Sequence, residues 1–160
     1  MTTVSDRHRI IDVTLDDQSF VRRNPDVDHE RRVAVFDLLQ ENRFALTGGA
    51  EGPFRVHISV RETRLVLEVR SEDERDVDTI VLALTPFRRI IREYFLICES
   101  YYNAIKTATP SRIEAIDVGR KGLHDEGAQL LRRHLAAKVD VDEATSRRLF
   151  TLLCVLHFKG

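Results

Sequence analysis

Hydrophobic and polar positions recur with two different periods along this chain, and the change of period separates a strand-rich first half from a helical second half. The run Arg9-Ile10-Ile11-Asp12-Val13-Thr14-Leu15 is β-branched and nearly alternating, which predicts a first strand. Asn24-Pro25 then marks a helix start. Pro25 suits the first helical position, Asp26, Asp28 and Glu30 suit its positive end, and Val27, Ala34, Val35, Leu38 and Leu39 form one apolar stripe that fades near Asn42. Gly48-Gly49-Ala50-Glu51-Gly52-Pro53 reads as a turn. It lacks the Lys and hydroxyl of a P-loop and precedes a strand, so it is not expected to cradle phosphate.

From Phe54 to Leu84 the period is two. Phe54, Val56, Ile58 and Val60 alternate with Arg55, His57, Ser59 and Arg61, and Leu65, Leu67 and Val69 alternate in the same way with polar neighbours. A turn at Glu62-Thr63 sets Val60 opposite Leu65, Ile58 opposite Leu67 and Val56 opposite Val69, so the inward face is wholly apolar. The outward face then opposes His57 to Glu68 and Arg55 to Arg70, where an exposed ion pair is expected rather than a catalytic one. An acidic loop, Ser71 to Asp76, leads to a third meander strand from Val77 to Leu84.

Beyond this point the spacing is helical. Thr85-Pro86 and Thr109-Pro110 each offer a hydroxyl cap before a Pro, predicting one helix over about 86–107 and another from Pro110. Phe87, Ile90, Ile91, Tyr94, Phe95, Cys98, Tyr101, Tyr102 and Ile105 follow i, i+3, i+4 spacing, which makes the first a core helix and its tyrosines core residues before ligands. Asp140 with Glu143 forms a capping-box pattern before a last helix carrying Leu149, Phe150, Leu152, Leu153 and Leu156. The expected architecture is α+β: a small antiparallel sheet, made of a three-strand meander and an N-terminal strand, packed against about four helices. It forms one domain over residues 1–160, with 1–8 as a flexible tail.

One segment conflicts with its helical setting. Asp117-Val118-Gly119-Arg120-Lys121-Gly122-Leu123-His124-Asp125-Glu126-Gly127 places three glycines, at about 1 kcal/mol each, inside the third helix. Close packing along Ala115, Gly119 and Gly122 would compensate, and so would a break presenting Arg120, Lys121, His124, Asp125 and Glu126 on a loop. An unbroken helix brings Asp117, Arg120, Lys121 and His124 onto one face. A His, a carboxylate and two cations suit acid/base work on an anion, which makes His124, Asp117 and Glu126 the catalytic candidates. A solvated face with one ion pair is the plainer reading. Arg88, Arg89 and Arg92 form a second basic cluster, at a helix N-terminus where positive charge is disfavoured. Those three arginines either pair with neighbours such as Glu93 or contact an anion or a partner.

Composition narrows the choices. The 160 residues carry 25 basic and 26 acidic side chains, a net charge of -1, so no global field attracts nucleic acid or an anionic membrane, and nucleic acid is disfavoured as a partner. Arg outnumbers Lys 21 to 4, which by itself reflects codon usage as readily as anion binding. Cys98 and Cys154 lie in apolar stretches without metal-ligand spacing and read as reduced core thiols, and no metal or cofactor is expected. Met1 to Arg9 has no apolar core of a signal peptide and no window is long enough to span a membrane, so a soluble cytoplasmic protein is expected.

Several long strings resemble a bacterial uncharacterised protein family, numbered 0262. They are Leu84-Thr85-Pro86-Phe87-Arg88-Arg89-Ile90-Ile91, Tyr94 to Tyr102, Ala108 to Asp117, Gly122-Leu123-His124-Asp125-Glu126-Gly127 and Leu149 to His157, with Ile11 to Leu15 and Asp28-His29-Glu30-Arg31 in the first half. The resemblance implies a small cytoplasmic bacterial protein and carries over no site residue. Where the family shows an Asn after Leu123-His124, this chain has Asp125.

Three functions follow as expectations. The first is a non-enzymatic protein-interaction or regulatory domain, binding a protein partner or itself through residues 117–127 together with Arg88, Arg89 and Arg92. The second is an enzyme or sensor for a small phosphorylated or carboxylated ligand, held by Arg120 and Lys121 with His124 as acid/base, which requires a concave pocket where a partner site would be flatter. The third is weak RNA binding on the Arg-rich sheet face.

Overall fold

The computed structural model describes residues 7–16 and 25–157. Asn24 and residues 1–6 of the expected tail lie outside them. Residues 7 and 8 are tied to the body: Arg7 pairs with Glu51 at 2.9 Å and the His8 carbonyl accepts from the Phe44 amide at 2.8 Å.

The alternating run folds as its pattern demands. Strand β3 (Phe54–Arg61) pairs antiparallel with β4 (Arg64–Ser71) in the expected register, and β4 pairs with β5 (Asp76–Ala83). Glu62 takes the left-handed conformation, φ 57°, that closes the tight turn. Strand β1 (Ile10–Leu15) completes a four-stranded sheet in the order β1-β3-β4-β5. Its pairing with β3 is parallel, so the sheet is mixed rather than purely antiparallel. The cause is the intervening helix α1 (Pro25–Gln40), a crossover that returns the chain to the same end of the sheet. On the outward face His57 Nδ1 shares a 2.6 Å hydrogen bond with the Thr14 hydroxyl of β1, although Glu68 stands opposite it. Ser59 and Val66 are buried on that face too.

Two three-residue strands complete the sheet structure. β2 (Phe44–Leu46) pairs antiparallel with β6 (Val139–Val141). Helix α2 (Arg88–Thr107) follows a 3-10 turn at Thr85–Phe87, α3 runs from Pro110 to Leu135 and α4 from Glu143 to His157. Thr109 caps α3 as expected, its hydroxyl accepting from the Arg112 amide. Two other expected caps are corrected. Thr85 lies inside the 3-10 turn and makes no cap bond, because Pro86 tightens the chain a turn before α2 begins. Asp140 sits in β6, where its carboxylate pairs with Arg43 at 3.0 Å, and Asp142 caps α4 by accepting from the Thr145 amide at 2.9 Å.

The inward face of the sheet, Ile58, Leu65 and Leu67, meets Leu131 and Leu135 of α3 and Leu149 of α4. Phe150, fully buried, lies between α3 and Tyr94 of α2. Cys98 and Cys154 are buried free thiols. Helix α3 is continuous through its three glycines. Gly127 is a packing position, since a Cβ there would overlap the Phe150 ring. A Cβ on Gly119 would come within 2.8 Å of Ile97 Cδ1, while Gly122 has nothing within 4 Å, so the close-packed side does not extend to it.

Candidate functional site

The unbroken α3 sets the geometry. At 100° per residue, Asp117, Arg120, Lys121, His124 and Asp125 occupy one side of it, and Glu126, nine residues after Asp117, points the opposite way. That side borders a cleft of about 530 Å³. His29, Glu30, Val33 and Ala34 of α1 line it together with Tyr94 of α2, Arg120, Lys121, His124 and Asp125 of α3, and Arg147, Arg148 and Thr151 of α4. Four cations thus meet two carboxylates, Glu30 and Asp125.

Each cation is positioned. Arg120 bonds Asp117 Oδ1 through Nε at 3.0 Å and Nη2 at 2.5 Å, and its guanidinium lies 4.9 Å from the Tyr101 ring centroid. Lys121 Nζ takes the other Asp117 oxygen at 3.0 Å. The bonds from Arg120 and then Lys121 hold the Asp117 carboxyl below the usual carboxylate range. Burial is the largest single effect and works against the Arg120 charge, but the bond and charge of Asp117 together with Tyr94 outweigh it and its pKa rises. Arg147 reaches Glu143 through Nη2 at 2.9 Å and Asp125 through Nε at 3.0 Å. Arg148 stands 3.6 Å from Asp37 of α1. Across the cleft, Glu30 accepts a 2.5 Å bond from the Tyr102 hydroxyl.

His124 sits where these elements converge. Its ring is 5.4 Å from that of Tyr94 and 5.3 Å from that of Phe150. His124 Nε2 and the Thr151 hydroxyl share a 2.7 Å hydrogen bond, and the same hydroxyl lies 3.2 Å from the Arg147 carbonyl. Burial, aided by Arg120, Arg147 and Arg148 and opposed by Asp125, lowers the His124 pKa to about 4. At neutral pH the ring is uncharged, beside cations. Burial also raises the Tyr94 hydroxyl pKa and pushes the Cys98 thiol to about 11, leaving both protonated.

The site residues expected from sequence divide into two groups. Arg120, Lys121, His124 and Asp125 line the cleft, with Asp117 behind the first two. Glu126 lies outside it and pairs with Arg89 at 3.4 Å, and Arg89 also grips Glu93 at 3.1 Å. Arg88 and Arg92 are exposed on α2 and do not line the cleft. The helix spacing alone did not indicate Glu30, Arg147, Arg148 or Thr151. Signals for them existed, in the polar Arg147-Arg148 doublet on the apolar last helix and in the Asp28-His29-Glu30-Arg31 string. Among the described residues no group of three or more His, Cys, Asp or Glu could hold a metal, and no helix is long and apolar enough to cross a membrane.

Comparison with known proteins agrees with the resemblance. The model of the uncharacterised protein family UPF0262 matches residues 7–159. A UPF0262 protein of Rhodopseudomonas palustris (strain TIE-1) is 55% identical over 153 residues, covering 96% of this chain and 94% of its own. One from Rhizobium etli is 57% identical over 152 residues, covering 95% and 96%. One from Nitrobacter winogradskyi is 55% identical over 154 residues, covering 96% and 92%. No solved structure matches the chain.

Proposed function

The chain belongs to the uncharacterised protein family UPF0262, and we propose that it binds a small anionic molecule, carboxylated or phosphorylated, in the cleft between α1, α3 and α4. The observation that carries this reading is the convergence of Arg120, Lys121, Arg147 and Arg148 on one concavity of about 530 Å³, within the size range of ligand pockets. A flat partner surface would not need that shape. Asp117, Asp125 and Asp37 hold the cations in place, so an entering anion exchanges one set of charge-assisted bonds for another.

Calorimetry of the full chain against phosphorylated and carboxylated metabolites tests this. Binding that weakens with salt and is lost in Arg147→Gln supports the reading, whereas no binding at millimolar concentration overturns it.

One observation favours a protein partner instead. Leu96 and Ile105 of α2 and Val118 of α3 are more than half exposed. Charged substitutions there that abolish self-association or capture of one stoichiometric protein, without changing the melting temperature, would favour this second reading.

A further inference from the structure

The cleft has an apolar side as well as a charged one. Val33, Ala34 and Tyr94 share its lining with the four cations. His29, Val33 and Phe36 are spaced i, i+4 and i+7 on α1, so Phe36 continues the Val33 stripe along the helix. Val33 is 43% exposed and Phe36 64%. Single exposed apolar residues are ordinary, but these two are neighbours on one helix face and one of them lines the cleft. The next residue, Asp37, holds Arg148, which fixes a cation of the cleft one position from this apolar lip. A cleft of about 530 Å³ is also far larger than an inorganic anion requires.

We propose that the ligand is an amphipathic anion: a carboxylate or phosphate monoester bearing an alkyl or aryl body. Its charged group lies among Arg120, Arg147 and Arg148, and its apolar body runs along Ala34, Val33 and Phe36. This rests on the reading of the cleft as an anion site and names the class of molecule that fills it. The Tyr94 and His124 rings, 5.4 Å apart, line the same cleft.

The test titrates the full chain with inorganic phosphate, phenyl phosphate and hexyl phosphate at one ionic strength, and with vesicles containing phosphatidylglycerol. Hexyl phosphate is expected to bind at least about tenfold more tightly than inorganic phosphate, the effect of burying roughly two methylenes. Phe36→Ser and Val33→Ser, with melting temperatures checked, should each remove most of that gain. Equal affinity for all three phosphates overturns the amphipathic class and leaves the anion cleft standing. Absence of binding by any of them overturns both readings. Binding to the vesicles alone overturns the free-molecule ligand and points to a membrane surface.

Discussion

The side-chain amide of Asn42 pairs with the backbone of Ile10 as a neighbouring strand would. Its Oδ1 accepts from the Ile10 amide at 2.7 Å, and its Nδ2 donates to the Ile10 carbonyl at 2.9 Å and to the Leu38 carbonyl at 2.8 Å. One residue thus satisfies the start of β1 and the last turn of α1, and so fixes the wall of the cleft relative to the sheet.

Asn42→Ala should therefore cost about 2–3 kcal/mol, three bonds at roughly 1 kcal/mol each in a partly buried setting. Urea denaturation measures it. Asn42→Asp should fare no better, because the carboxylate cannot donate to either carbonyl.

The glycines of α3 should respond in opposite directions. Gly127→Ala drives a methyl into the Phe150 ring and is expected to destabilise by about 1–3 kcal/mol. Gly122→Ala meets nothing within 4 Å on a helix and should stabilise by about 0.5–1 kcal/mol. Equal changes in the two melting temperatures would contradict this assignment.

Acid should destabilise the fold through His124. Its folded pKa of about 4 lies below the ordinary 6.5, so between these values the unfolded chain binds a proton that the folded chain refuses. The contribution is intact above about pH 6.5 and is lost as pH falls towards 4, on the order of 3 kcal/mol in all. Denaturant midpoints of His124→Gln and the parent chain should converge across that window.

Arginines on the two sides of α3 should separate binding from surface pairing. Arg120→Gln removes a cation that lines the cleft and should weaken anion binding roughly tenfold or more, the value of one charge-assisted bond. Arg89→Gln breaks only exposed pairs with Glu93 and Glu126 and should change neither affinity nor, beyond about 0.5 kcal/mol, stability.

Local chemistry made much of this legible. The register from Val60–Leu65 to Val56–Val69 followed from alternation and a two-residue turn, and the α3 start followed from Thr109-Pro110. Phe44–Leu46 and Val139–Val141 are too short to show a period, and each exists because the other is there to pair with. The same limit governs the site. Asp117, Arg120, Lys121 and His124 share a face by spacing alone, whereas Glu30, Arg147 and Thr151 reach it only through tertiary packing. Tyr94 is a core residue by its spacing and also lines the cleft, at 4% exposed.

The β2–β6 ribbon also bears on how the chain acquires this shape. It joins residues 44–46 to residues 139–141, across three strands and two long helices, before α4 has begun. Contacts that distant carry a large loop-closure cost and slow the search for the native state. During synthesis from the N-terminus, the meander hairpin and the α2–α3 pair can form early. The wall that α1 contributes to the cleft has its main packing partner only when α4 is present, so the cleft is among the last parts of the molecule to be assembled.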